Sequence, residues 1–136
     1  EIKESYIKDK SVAKIVNNLY ELGFVLILGD YSNQSSSLTY LADLKIDVLK
    51  LSEDLLLEVN NSEEYTNMKS VYQFFVDISK KFELSVVSTG VKNKKDLKLV
   101  RELGVNIATG DYFSRAIIKE EFLEFIKNNK LRKLRL

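Results

Sequence analysis

The chain has 136 residues, 45% hydrophobic and 30% charged, with a formal net charge of +1, a composition that fits one ordinary globular domain with a real core and excludes a disordered chain. It holds no His and no Cys, which removes disulfides, thiolate zinc sites, thiol nucleophiles and the imidazole base of Ser-His hydrolases. Acid–base work falls to Asp, Glu, Lys or Tyr, and any metal must take oxygen ligands. The near-balanced charge calls for no DNA partner. The longest apolar run, Phe24 to Leu28, is too short to span a membrane at about 20 residues per crossing, and no signal peptide is visible. The expected location is cytoplasmic.

Proline is absent and glycine is scarce, so the elements are read from apolar period. A helix is predicted from about Lys8 to Leu22, with Val12, Ile15, Val16 and Leu19 on one face and Gly23 as its stop. The run Phe24 to Leu28 follows as a strand covered on both faces. A polar loop from Gly29 to Ser35, a short helix near Ser36 to Asp43 and a strand near Ile46 to Leu51 form a second unit. The third is longer, a helix over about Glu63 to Phe82 with Tyr65, Met68, Val71, Tyr72, Phe75 and Ile78 toward the core, then a strand at Leu84 to Val87. A helix near Asn93 to Leu103, stopped by Gly104, leads to a short strand at Val105 to Ala108. The last helix runs from Lys119 to about Lys127. Alternating helices and short apolar strands specify parallel βαβ units in an α/β fold.

In such folds chemistry sits in the loops after the carboxyl ends of the strands. Five of those segments are distinctive. They are Glu1-Ile2-Lys3-Glu4-Ser5, the loop Gly29-Asp30-Tyr31-Ser32-Asn33-Gln34-Ser35-Ser36-Ser37-Leu38, Asp47-Val48-Leu49-Lys50-Leu51-Ser52, Val86-Val87-Ser88-Thr89-Gly90-Val91-Lys92, and Thr109-Gly110-Asp111-Tyr112-Phe113-Ser114-Arg115. In order and spacing they resemble the strand-end motifs of EAL-type cyclic-di-GMP phosphodiesterase domains. The resemblance implies the C-terminal part of such a domain over residues 1–129, roughly the second half of a (β/α)8 TIM-like barrel, with the Glu-Ala-Leu motif lying before residue 1. Residues 130–136 read as a solvated basic tail.

The resemblance also implies the site. Family metal-ligand positions fall on Glu1 and Asp30, which keep a carboxylate, and on Gly29, Ser52 and Thr89, which do not. Thr109 stands for a glutamine that orders metal-bound water, Lys92 for an acid, and Lys50 for a lysine near the attacking water. Active relatives use Mg or Mn. With so few carboxylates, the chain is expected to need no metal or other cofactor and to be catalytically inactive, with Glu1, Asp30 and Lys50 as relics. Asp30 would cap the helix after its loop, and Lys50 would pair with Asp30 or Glu1. The expected role is regulation or protein interaction in bacterial cyclic-di-GMP signalling, with a protein partner or a second copy on the open barrel face. A non-hydrolysing cyclic-di-GMP receptor and a weak metal-dependent phosphodiesterase are the alternatives.

Overall fold

The computed structural model describes residues 1–7, 10–32, 38–61 and 65–128. The expected basic tail, residues 130–136, and the loop residues 33–37 lie outside the described residues. Five strands form one parallel sheet: β1 (Ile2–Lys3), β2 (Ile27–Tyr31), β3 (Val48–Leu51), β4 (Ser85–Ser88) and β5 (Ile107–Ala108). Its order is the chain order, β1-β2-β3-β4-β5. An order without reversal has no topological switch point, so successive units wind in one direction, as in an arc of a barrel and unlike a doubly wound sheet.

The helices α1 (Lys10–Glu21), α2 (Leu38–Asp43), α3 (Glu53–Asn61), α4 (Tyr65–Lys81) and α5 (Lys94–Glu102) join these strands, and α6 (Lys119–Asn128) follows β5. Along β3, Leu49 and Leu51 are fully buried while Val48 and Lys50 are only half-buried. A strand presents alternate residues to opposite faces, so the leucines lie in the core and Lys50 lies on the other side. Leu28 on β2, Leu55, Leu56 and Val59 on α3, Tyr72, Phe75 and Val76 on α4, and Leu99 and Val100 on α5 complete that core. Each fully buried leucine contributes about 1.5–3 kcal/mol.

Three expectations need correction. The first helix is shorter than predicted among the described residues, and only Val16 of its predicted stripe is fully buried; Val12 and Leu19 are partly buried and Ile15 is 57% exposed. The second strand starts three residues late. Gly23 ends α1 at a φ of +83°, Phe24 remains tied to the helix through its N–H to the Leu19 carbonyl, and both Phe24 and Val25 are exposed. The apolar run therefore belongs to a turn as much as to a strand. The third correction is an omission: α3, between β3 and α4, was not predicted. Its signal was present, since Ser52 precedes Glu53 and Asp54 in the first turn and the Ser52 hydroxyl accepts from the Leu55 N–H at 3.3 Å, an N-cap followed by acids at the positive end of a helix. The core reading of Tyr72 and Phe75 holds, with Met68, Val71 and Ile78 packed around them; the side chain of Tyr65 is outside the described ones.

Candidate functional site

The strand-end loops surround a cleft of about 570 Å³ lined by Asp30, Lys50, Glu53, Thr89, Gly90, Lys92, Thr109, Gly110 and Asp111. Asp30 reaches it through an irregularity. The β2–β3 register runs Ile27 to Val48 and Leu28 to Leu49, then shifts before Tyr31 meets Leu51. The extra residue places Asp30 at a φ of +55°, a left-handed conformation that Asp tolerates better than most residues, and bulges of this kind re-aim side chains beside functional sites.

The floor of the cleft is zipped by backbone. Ser52 N–H donates to Tyr31 O, Thr89 N–H to Leu51 O, Thr109 N–H to Ser88 O and Val91 N–H to Thr109 O. Thr89 adds its hydroxyl, which donates to Leu51 O at 2.8 Å. Lys92 is held by a buried acid, because the Asp96 carboxylate accepts from the Lys92 and Asn93 N–H groups and from the Asn60 side-chain amide. Asp96 also forms a reciprocal capping box with Asn93 at the start of α5.

Every carboxylate around the cleft faces a cation. Lys50 donates to Glu1 at 2.8 Å, Lys3 pairs with Asp30 at 3.0 Å, Lys92 with Glu53 at 2.5 Å and Arg115 with Asp111 at 3.7 Å. The Asp30 carboxylate holds the Lys3 ammonium above the usual lysine pKa, and Glu53 does the same for Lys92. Sequence reasoning paired Lys50 with Asp30 or Glu1; the structure pairs it with Glu1, and gives Asp30 to Lys3. The capping role expected of Asp30 falls on a loop outside the described residues.

The positions expected to have lost a ligand carry other duties. Ser52 caps α3, Thr89 extends the β3–β4 pairing with its side chain, Thr109 extends the β4–β5 pairing with its backbone, and Gly29 lies beneath the Glu1 side chain. Glu53, Asp111 and Gly90 line the cleft, and Lys3 pairs with its Asp30, although sequence reasoning assigned them no role. The sequence signal for Glu53 is its place directly after the Ser52 N-cap, in the first turn of α3. Among the described residues no three acidic side chains converge as a cage for a metal ion. Glu1 and Asp30 are nonetheless oxygen donors of the kind that hard divalent ions take, and are the residues that would hold one, in exchange for Lys50 and Lys3.

The EAL domain family model matches residues 1–116. The probable cyclic di-GMP phosphodiesterase PdeB of Escherichia coli (strain K12) is 30% identical over 127 residues, which are 93% of this chain and 23% of that protein; the chain thus spans a minor part of the relative's length. Among solved structures, the EAL enzyme Bd1971 in its cAMP- and cyclic-di-GMP-bound form superposes with a TM-score of 0.82 at 20% identity, over 91% of this chain and 32% of that one. BlrP1 of Klebsiella pneumoniae, solved as a manganese and cyclic-di-GMP complex, superposes with a TM-score of 0.71 at 18% identity, over 80% of this chain and 28% of that one. That complex corrects the expectation that no cofactor is involved. A protein of this fold is there solved with manganese, and Glu1 and Asp30 supply carboxylate oxygens beside Lys50 and Lys3 here. The five parallel strands are a partial TIM-like barrel of the kind these neighbours share. With its family model matched over most of its length, the chain belongs to the EAL domain family.

Proposed function

We propose that this EAL domain is a non-catalytic module of cyclic-di-GMP signalling, which acts through protein contact and does not hydrolyse the dinucleotide. One observation carries the reading. The cleft's carboxylates are each paired with a cation of the same chain, while Ser52, Thr89 and Thr109 place neutral side chains there and use them, or their backbone, to hold the fold together. Hydrolysis through a pair of bound ions needs several carboxylates to gather two positive centres and to lower the pKa of water. Here Glu1 and Asp30 are the two left at family positions, and Lys92 adds a positive charge.

The site for protein contact is the open side of the arc. Ile107 on β5 is 49% exposed, Val48 and Val87 are only partly covered, and β1 and β5 are the two ends of the sheet. Exposed strand edges and apolar faces of this kind are covered in native assemblies. This reading takes a protein partner, or a second copy of the chain, as what covers them; the remaining strands of a full barrel would cover the same β1 and β5 edges.

The test is an incubation of the chain with cyclic-di-GMP and Mn²⁺ at high protein concentration. No linear product above the protein-free blank is expected. Product that appears with Mn²⁺ and is lost in Asp30→Asn would overturn the reading in favour of a weak phosphodiesterase. Calorimetry with cyclic-di-GMP separates the remaining receptor alternative, which requires saturable heat.

A further inference from the structure

Glu1 and Lys50 are not on neighbouring strands. Glu1 directly precedes β1 and Lys50 lies on β3, with β2 between them, yet their charged atoms are 2.8 Å apart. The Glu1 side chain makes the crossing by lying over β2 at Gly29, which sits beside Lys3 in the β1–β2 register. A Cβ at position 29 would stand 2.9 Å from both Cγ and Cδ of Glu1 and closer still to Oε1, well inside van der Waals contact. The same construction occurs two strands further on. Glu53, at the start of α3, passes over Gly90 to reach Lys92, and a Cβ on Gly90 would stand 2.7 Å from Glu53 Cβ and closer still to its Cγ.

We infer that Gly29 is a positioning residue that decides what the Glu1 carboxylate holds: the bare glycine lets Glu1 lean across β2 onto Lys50, and any side chain there turns Glu1 back toward Asp30 and the mouth of the cleft. Gly29 is free to be tested because, unlike Gly23, Gly90, Gly104 and Gly110, it has no positive φ, so an L side chain brings no backbone strain and the three nearest atoms its Cβ meets all belong to the movable Glu1 side chain. The Glu1–Lys50 and Glu53–Lys92 pairs are then two cross-braces of one design, each a carboxylate laid over a glycine, and together they tie β1, β3 and the β4 loop at the end of the arc. Gly90, at a φ of +77°, holds the second brace but cannot be substituted without strain of its own.

Two readouts test this. A lysine ammonium gives a resolved proton–nitrogen NMR signal when an ion pair slows its exchange, so the Lys50 signal is expected in the unmodified chain and expected to vanish in Gly29→Ala, as in Glu1→Gln, while the Lys92 signal remains. In Gly29→Asp the released Glu1, the new carboxylate and Asp30 converge as oxygen donors for a hard cation, and Mn²⁺ affinity by titration calorimetry is expected to rise at least tenfold over the unmodified chain. Persistence of the Lys50 signal in Gly29→Ala, or equal Mn²⁺ affinity in Gly29→Asp and the unmodified chain, overturns the inference. Glu1→Gln leaves Gly29 intact and so reports on the brace if either substitution at position 29 fails to fold.

Discussion

Tyr72 offers a stability test whose sign changes with pH. Its ring is fully buried on α4 and its hydroxyl donates to Ser88 Oγ at 2.8 Å, beneath the cleft at the end of β4. Burial pushes the phenol up from 10.0 to about 12, against a smaller opposing effect of the Ser88 bond. In Tyr72→Phe, near neutral pH, the lost bond leaves a buried Ser88 hydroxyl short of its partner and costs about 1 kcal/mol. Above pH 10 the balance reverses. The unfolded chain releases the Tyr72 proton at its ordinary pKa while the folded chain still holds it, and stability falls with rising pH wherever the unfolded state binds fewer protons. Between 10.0 and about 12 this drains roughly 2–3 kcal/mol from the unmodified chain, at about 1.4 kcal/mol per pH unit, and nothing from Tyr72→Phe through this group. The two stabilities, measured by urea unfolding at a series of pH values, are therefore expected to cross between pH 10 and 12. Lysine titrations lower both curves alike and cancel in the difference. Parallel curves over that range would refute the buried-phenol argument.

Three further outcomes are expected. Leu49→Ala empties a fully buried site on the central strand and should cost about 2–5 kcal/mol in chemical denaturation. Asp96→Ala removes the capping box of α5 together with the acceptor of the Lys92 N–H; a loss of about 1–2 kcal/mol is expected, with weakened amide protection at Lys92 and Asn93 in hydrogen exchange. Glu53→Gln removes the charge that raises Lys92. A raised lysine pKa stabilises the folded chain below the ordinary value of 10.5 and loses that contribution as pH rises through the folded value, so an NMR titration of Lys92 is expected to show a lower midpoint in the variant, and an unchanged midpoint would assign the shift elsewhere.

The sequence by itself determined the elements whose signals are local. Alternating apolar runs and amphipathic stretches announced parallel βαβ units because helix and strand periods are properties of a few consecutive residues, and the strand-end spellings around Asp30, Lys50 and Gly90 identified the family. The boundary of β2 and the existence of α3 were less legible. Phe24 and Val25 have strand-forming side chains, but the αL turn at Gly23 keeps them out of the ladder, and Ser52 was weighed only as a missing ligand when its hydroxyl is a helix cap. Only the tertiary structure decided the partners of the charges. Lys50 is separated from Glu1 by 49 positions, and Thr89 from Leu51 by 38, so no sequence period relates them. Their meeting depends on the order of the strands, the register shift at β2, and the absence of a side chain at Gly29.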